Sequence, residues 1–397
     1  MNFRRLPRPD YDGGSILNLM SSVIRSRGGR SPHVSLRVLP PRDVQKYKKV
    51  VLLLLDGLGE GQLRDWMART QRPTAFFGQH PHDIITTLCP ATTASVVTTL
   101  ATGASPTEHG ILGWHLHLPD LGIEGTILPF VTRTGTPLAM DDFHVADYLQ
   151  LPAPLATTAG RRVLISYGDI PFSRISMVQS WWHERKSYTT LEGLTRHLRT
   201  FAQSRPRHPA FAYAYWPHYD SLCHEYGPEG AIPARHLREL DSFLARAQQA
   251  LRGTNTLLLV TADHGHMQTT TSVDLSAIPG FYSCLSTLPT GDARLTQCLV
   301  RPTKLRDFRR LLNEEPLKSA CVAATRAEML RAGLFGPGRP HPALQDRMGD
   351  YLLFSLPGHA LLYPAAQSKF KHLMLGTHGG LSHAELRVPL FVVRPEA

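Results

Sequence analysis

The chain has 397 residues, enough for a full hydrophobic core, and its 42% hydrophobic and 19% charged content excludes an intrinsically disordered chain. The net charge of +11 suits an anionic substrate, but the one basic cluster (Arg301, Lys304, Arg306, Arg309, Arg310) is spaced like a solvated helix face, so nucleic acid is not expected as a partner. Cys89, Cys223, Cys284, Cys298 and Cys321 are scattered without a CxxC pair, residues 1–10 have no apolar core of a leader, and no run approaches the ~20 apolar residues of a membrane helix; together these predict reduced thiols, a cytoplasmic location and no membrane partner.

After an N-terminal arm (residues 1–48), the first buried-strand signal is Lys49–Leu55, which runs into Asp56-Gly57. Thr92-Thr93 then precedes a helical run over Ala94–Ala101. Strand Arg162–Tyr167, helix Leu191–Ser204 and strand Ala210–Tyr215 follow, the last leading to Asp220 and His224. Helix Ile232–Leu251 leads to strand Thr256–Val260, which ends in Thr261-Ala262-Asp263-His264-Gly265. Residues 267–370 break this rhythm with Pro/Gly punctuation, one strand signal (Leu295–Val300) and the basic helix, and read as an inserted cap or substrate region. Leu373–Leu375, running into Gly376-Thr377-His378-Gly379, and Val388–Val393 supply the last strands. Short apolar runs alternating with helices predict an α/β fold with a mostly parallel central sheet flanked by helices. Its core would comprise residues 49–266 and 371–397. Ligands bind at the carboxyl ends of such strands, so Asp56, Asp263, His264 and His378 are expected on one rim.

Three Asp and three His at four places suit a two-metal hydrolytic site, and mixed carboxylate and imidazole donors favour zinc or manganese over calcium or magnesium. Asp220 and His224, four residues apart, share one helix face. Thr92 or Thr93 opens a helix, where free N–H groups favour an anion and where a hydroxyl beside a metal ion becomes a nucleophile. Trp114, Trp216 and Tyr219 lie near these segments, with core packing as their expected role. Arg294, Arg301 and Arg347 are candidates to meet a second anionic group.

The ordered motifs LLLLDG, TTASVVTTLATGASPTEHGI, YWPHYDSLCHEYGP, TADHG and GTHGG resemble the alkaline phosphatase superfamily, in particular its type I phosphodiesterase/nucleotide pyrophosphatase branch, over about Lys49 to Pro389. The resemblance implies an alkaline-phosphatase-like fold and two divalent ions, zinc or manganese. One would be held by Asp220, His224 and His378, the other by Asp56, Asp263, His264 and the nucleophile. Counted back from Thr102-Gly103 the nucleophile falls on Thr93, with Thr92 as the alternative. The implied reaction is hydrolysis of a small anionic phosphodiester or pyrophosphate through a phospho-threonine. A phosphonoacetate-type hydrolase or a phosphomonoesterase of the same superfamily is the alternative. A non-catalytic binding module is disfavoured by the complete ligand set.

Overall fold

The computed structural model describes residues 3–70, 73–138, 142–363 and 374–395. Seven strands form the central sheet: β1 (Lys49–Leu55), β2 (His82–Thr86), β3 (Arg161–Tyr167), β4 (Glu184–Tyr188), β5 (Ala210–Trp216), β6 (Thr256–Thr261) and β7 (Arg387–Val393), in the spatial order β2-β7-β6-β1-β5-β3-β4. The five from β6 to β4 are parallel, in a register that sets Leu53 beside Ala214 and Val260. β7, expected to be parallel like the others, runs antiparallel to β6, and β2 runs antiparallel to β7. An antiparallel neighbour needs no right-handed crossover of the kind that joins parallel strands, and β7 enters the sheet directly after a one-turn helix, His383–Leu386.

Every residue of β1 is buried, as a continuous apolar run must be when both faces are covered. The covering helices are α1 (Ile16–Ser26), α2 (Glu60–Arg69), α3 (Thr93–Thr102), α4 (Leu191–Gln203), α5 (His218–Tyr226) and α6 (Ala231–Leu251). Leu194, Leu198 and Phe201 of α4, Leu240 and Phe243 of α6, and Ile16, Leu19 and Val23 of α1 share one core cluster with β1. Residues 16–26 of the N-terminal arm are thus part of the main core.

A second, antiparallel sheet has the order Cys321–Thr325, Tyr351–Ser355, Leu295–Cys298, Thr290–Asp292, His115–Leu118, Ile123–Thr126, Val131–Thr132. It combines strands from residues 115–132 with strands from 290–355, and Leu116, Leu295, Leu352 and Phe354 belong to a separate core cluster beneath it. Of the strand expected over Leu373–Leu375, Leu373 lies outside the described residues and Met374 and Leu375 are not in a strand; the strand here is Gly376–Thr377, paired antiparallel with Met267–Gln268. A Cβ on Gly376 would stand 2.4 Å from the Cys223 carbonyl oxygen, so only glycine lets this segment lie against α5.

Candidate active site

Because β1, β5 and β6 are parallel neighbours, their carboxyl ends share one edge of the sheet. Asp56 follows the last residue of β1, and Asp263 and His264 follow β6. The chain leaving β5 turns at Pro217 into α5, which carries Asp220 and His224 one turn apart. His378 arrives differently. It follows Gly376–Thr377, which is held by pairing to Met267–Gln268 just beyond His264. Thr93 is the first residue of α3.

All seven expected residues come together. Asp56, Asp263 and His264 form one group of donor atoms within 4.8 Å of one another, and Asp220, His224 and His378 form a second. The groups adjoin, with the His264 and His378 rings stacked at 3.6 Å between centroids. Thr93 Oγ1 stands 3.1 Å from His264 Nε2. Thr92 is the N-cap, but its hydroxyl donates to Asp292 Oδ1 (3.0 Å) and so turns away from the cluster.

Each histidine is oriented the same way. Nδ1 of His224, His264 and His378 faces the carbonyl oxygens of Gly376 (2.7 Å), Gly265 (3.2 Å) and Ala91 (3.2 Å). A carbonyl only accepts, so these contacts assign the proton to Nδ1 and leave Nε2 as a lone pair aimed at the carboxylates. The carboxylates are similarly divided. Asp263 Oδ1 accepts from the N–H groups of Gly57 and His264 (3.0 Å each), while its buried Oδ2 has no hydrogen-bond partner among the described residues. Asp56 Oδ2 accepts from the Tyr215 hydroxyl, and its Oδ1 is likewise left over. The two remaining oxygens lie 3.5 and 3.4 Å from His264 Nε2.

Such a set suits a cation. Burial, then the neighbouring Asp263 and Asp220, pushes the Asp56 carboxyl well above its ordinary range. Burial alone would raise Asp220 too, yet His224, His266 and His378 hold it well below. Burial and the nearby His264 push His378 down, keeping its imidazole neutral. Carboxylate oxygens and unprotonated imidazole nitrogens converging at 3–4 Å, with buried oxygens unpartnered, fit divalent metal ions.

Three residues escaped the sequence reading. His266 is buried, with Nε2 2.9 Å from Asp220 Oδ1, and its only sequence signal is being a further histidine two places beyond His264. Tyr215 binds Asp56 from within β5. Asp292 comes from the second sheet, accepts from Thr92 and from the Trp114 N–H (3.3 Å), and is pushed by burial to about 7. Nothing in the sequence around Asp292 marks it, since its partners are some 200 residues away. Among the aromatic candidates Tyr219 and Trp216 are core residues, and Trp114 alone is exposed, at 38%. Arg294 is spent on a buried ion pair with Glu385 (2.6 Å), Arg347 is buried, and Arg301 donates to the Leu285 carbonyl (2.8 Å), so the structure directs none of the three to the rim.

The family model for type I phosphodiesterase / nucleotide pyrophosphatase matches residues 50–380, spanning every one of these groups. The chain belongs to that family. No curated protein matches the sequence. Among solved structures, murine ectonucleotide pyrophosphatase / phosphodiesterase 5 is similar over 86% of this chain and 87% of its own, at 17% identity and a TM-score of 0.62. The human protein of the same name is similar over 87% of both chains, at 16% identity and 0.63. Phosphonoacetate hydrolase from Sinorhizobium meliloti 1021, in complex with phosphonoformate, covers 88% of this chain and 91% of its own, at 16% identity and 0.63. At these identities the likeness is one of fold. This family member is an enzyme of the phosphodiesterase/pyrophosphatase type, a hydrolase, and no helix among its described residues is long and apolar enough to cross a membrane.

Proposed function

We propose that the protein hydrolyses phosphodiester or pyrophosphate bonds with Thr93 as nucleophile and two divalent ions, zinc or manganese, as cofactors. The observation that carries this reading is the placement of Thr93 Oγ1 against His264 Nε2, where the two donor groups meet. Asp56, Asp263, His264 and Thr93 would hold one ion, and Asp220, His224 and His378 the other. When bound, the pair supplies positive charge that favours an ionised threonine oxygen and offsets charge developing on the phosphoryl group and its leaving oxygen. Thr93 Oγ forms a bond to phosphorus as the bond to the leaving oxygen breaks. Water then cleaves the phospho-threonine and returns the hydroxyl. The first turn of α3 leaves the N–H groups of Thr93, Ala94 and Ser95 without intrahelical acceptors, a setting that favours a phosphoryl oxygen. An inactive variant of the murine relative, in which alanine replaces a threonine, is in complex with AMP, which supports both a threonine nucleophile and a nucleotide-sized phosphate ester.

The likeness to phosphonoacetate hydrolase supports a second reading, cleavage of a phosphonate by the same residues. Five free, buried cysteines support a reducing compartment, and the cytoplasm is the proposed location. The test compares bis-p-nitrophenyl phosphate, p-nitrophenyl phosphate and phosphonoacetate before and after metal removal and after zinc or manganese is restored. Metal-restored turnover preferring the diester is expected. Thr93→Ala should lower turnover by at least about a thousandfold while metal content is kept. Full activity of that variant would remove Thr93 from the reaction.

A further inference from the structure

Beyond the metal centre, the segment that carries His266 also borders a cavity of about 440 Å³ between α2, the start of α6 and the residues leading into β7. None of the proposed metal ligands lines it. Three arginines line it from three separate elements: Arg69 at the end of α2, Arg238 in α6 and Arg387 at the start of β7. All three are exposed, and none is paired with an acid among the described residues. Arg64 on the same wall is different, being held by Glu60 (3.4 Å) and Asp65 (3.3 Å). The wall carboxylates are Glu60, Asp65 and Glu229, against the guanidinium groups of Arg64, Arg69, Arg238 and Arg387, so the lining carries one positive charge in excess. A solvated helix face spreads its charges along one helix. Here arginines from two helices and a strand line one concavity, a setting that favours an anion among them.

Part of the lining is apolar. Pro228, Leu237 and Trp66 form it, and the indole is locked by its Nε1–H donating to the Ala234 carbonyl (2.9 Å). An apolar lining beside exposed arginines matches a ligand with an anionic head and a compact apolar body.

We propose that this cavity is a second binding site, separate from the metal centre, for a small organic phosphate. The phosphate dianion would lie among Arg69, Arg238 and Arg387, and its ring or aliphatic body against Leu237, Pro228 and the edge of Trp66. His266 lines the cavity and its ring contacts Asp220, so an occupant would be separated from the metal centre by that one residue.

The test titrates phenyl phosphate into the full chain after metal removal, by calorimetry at low ionic strength, with phenol as the uncharged control. One saturable site for phenyl phosphate and none for phenol is expected. Arg238→Glu combined with Arg387→Glu should weaken it by at least about tenfold, the size expected for losing charge-assisted contacts to a phosphate. Thr93→Ala and Asp56→Asn should leave it unchanged, which separates this site from the metal centre. Binding that survives the double charge reversal, disappears in the Asp56 or Thr93 variants, or is absent altogether overturns the proposal. Thermal melts check the double variant, and Arg238→Ala, which removes one exposed side chain, is read by the same criteria if the melt is lowered.

Discussion

Thr93 is the first residue of its helix, the place where a hydroxyl and free N–H groups coincide. His266 shows what a neighbour adds. Its Nε2 lies 2.9 Å from Asp220 Oδ1 and steadies a carboxylate already surrounded by His224 and His378. His266→Ala should therefore weaken metal binding by about 10- to 100-fold, the range for losing a group that orients a ligand. Titration against a competing chelator measures this, and unchanged affinity would show that Asp220 needs no such support. His109, from the TEHG segment, has a structural part instead. It is buried, its Nδ1 accepts from the Ile111 N–H (3.1 Å), and its Nε2 meets the Thr99 hydroxyl (3.1 Å), which itself donates to the Ala104 carbonyl. The neutral ring is thus satisfied, and burial lowers its pKa from 6.5 to about 3. The unfolded chain binds the proton more readily, so this contribution to stability is present above 6.5 and is lost as pH falls from there toward 3. Denaturant unfolding from about pH 7 to pH 5 should show a shallower loss in His109→Gln than in the parent, up to about 1.4 kcal/mol per pH unit being attributable to one such group.

Among elements, the two-residue strand Gly376–Thr377 carries the largest share of the site for its size. It positions His378, and the Gly376 carbonyl accepts from His224 Nδ1 (2.7 Å), so one short pairing orients two of three donors in one group. Adding a methyl at Gly376 would collide with the Cys223 carbonyl and push the strand off α5. Gly376→Ala is expected to empty the Asp220, His224 and His378 group while the Asp56, Asp263 and His264 group keeps its ion. Metal content per chain should fall toward one, and retention of both ions would show that the strand has room to move. This element was illegible in the sequence for a plain reason: two residues are too few for a hydrophobic period, and the apolar triplet before them drew the assignment instead. The strands Lys49–Leu55, Ala210–Trp216 and Thr256–Thr261 were legible to within a residue because burial on both faces enforces an unbroken apolar run.

At the scale of the molecule, the two sheets are tied by a buried ion pair. Arg294, between the strands Thr290–Asp292 and Leu295–Cys298, donates to Glu385 through Nε (2.6 Å) and Nη2 (3.0 Å), and Glu385 also accepts from the Gly380 N–H (2.8 Å) just after the His378 loop. Both side chains are almost fully buried, at 1% and 0% exposure. Removing one partner strands a charge, so Glu385→Ala should cost about 3–5 kcal/mol in denaturant unfolding. The Arg294→Met, Glu385→Ala double variant should recover part of it, and a loss below about 1 kcal/mol in the single variant would mean that water reaches Arg294. The same joint brings Asp292 to Thr92 and places the second sheet over the start of α3.

The parallel core and the residues Asp56, Asp220, His224, Asp263 and His264 were readable in the sequence from local patterns, namely strand ends and the four-residue spacing of Asp220 and His224, whereas the choice of Thr93 over Thr92 came from the family resemblance. Tertiary structure alone decided the antiparallel edge made by β7 and β2, and the second sheet that joins residues 115–132 to 290–355. It alone decided, too, the roles of His266, Tyr215 and Asp292. Each of these depends on which distant segments meet, and a contact between Asp292 and Thr92 across 200 residues leaves no periodicity in either neighbourhood.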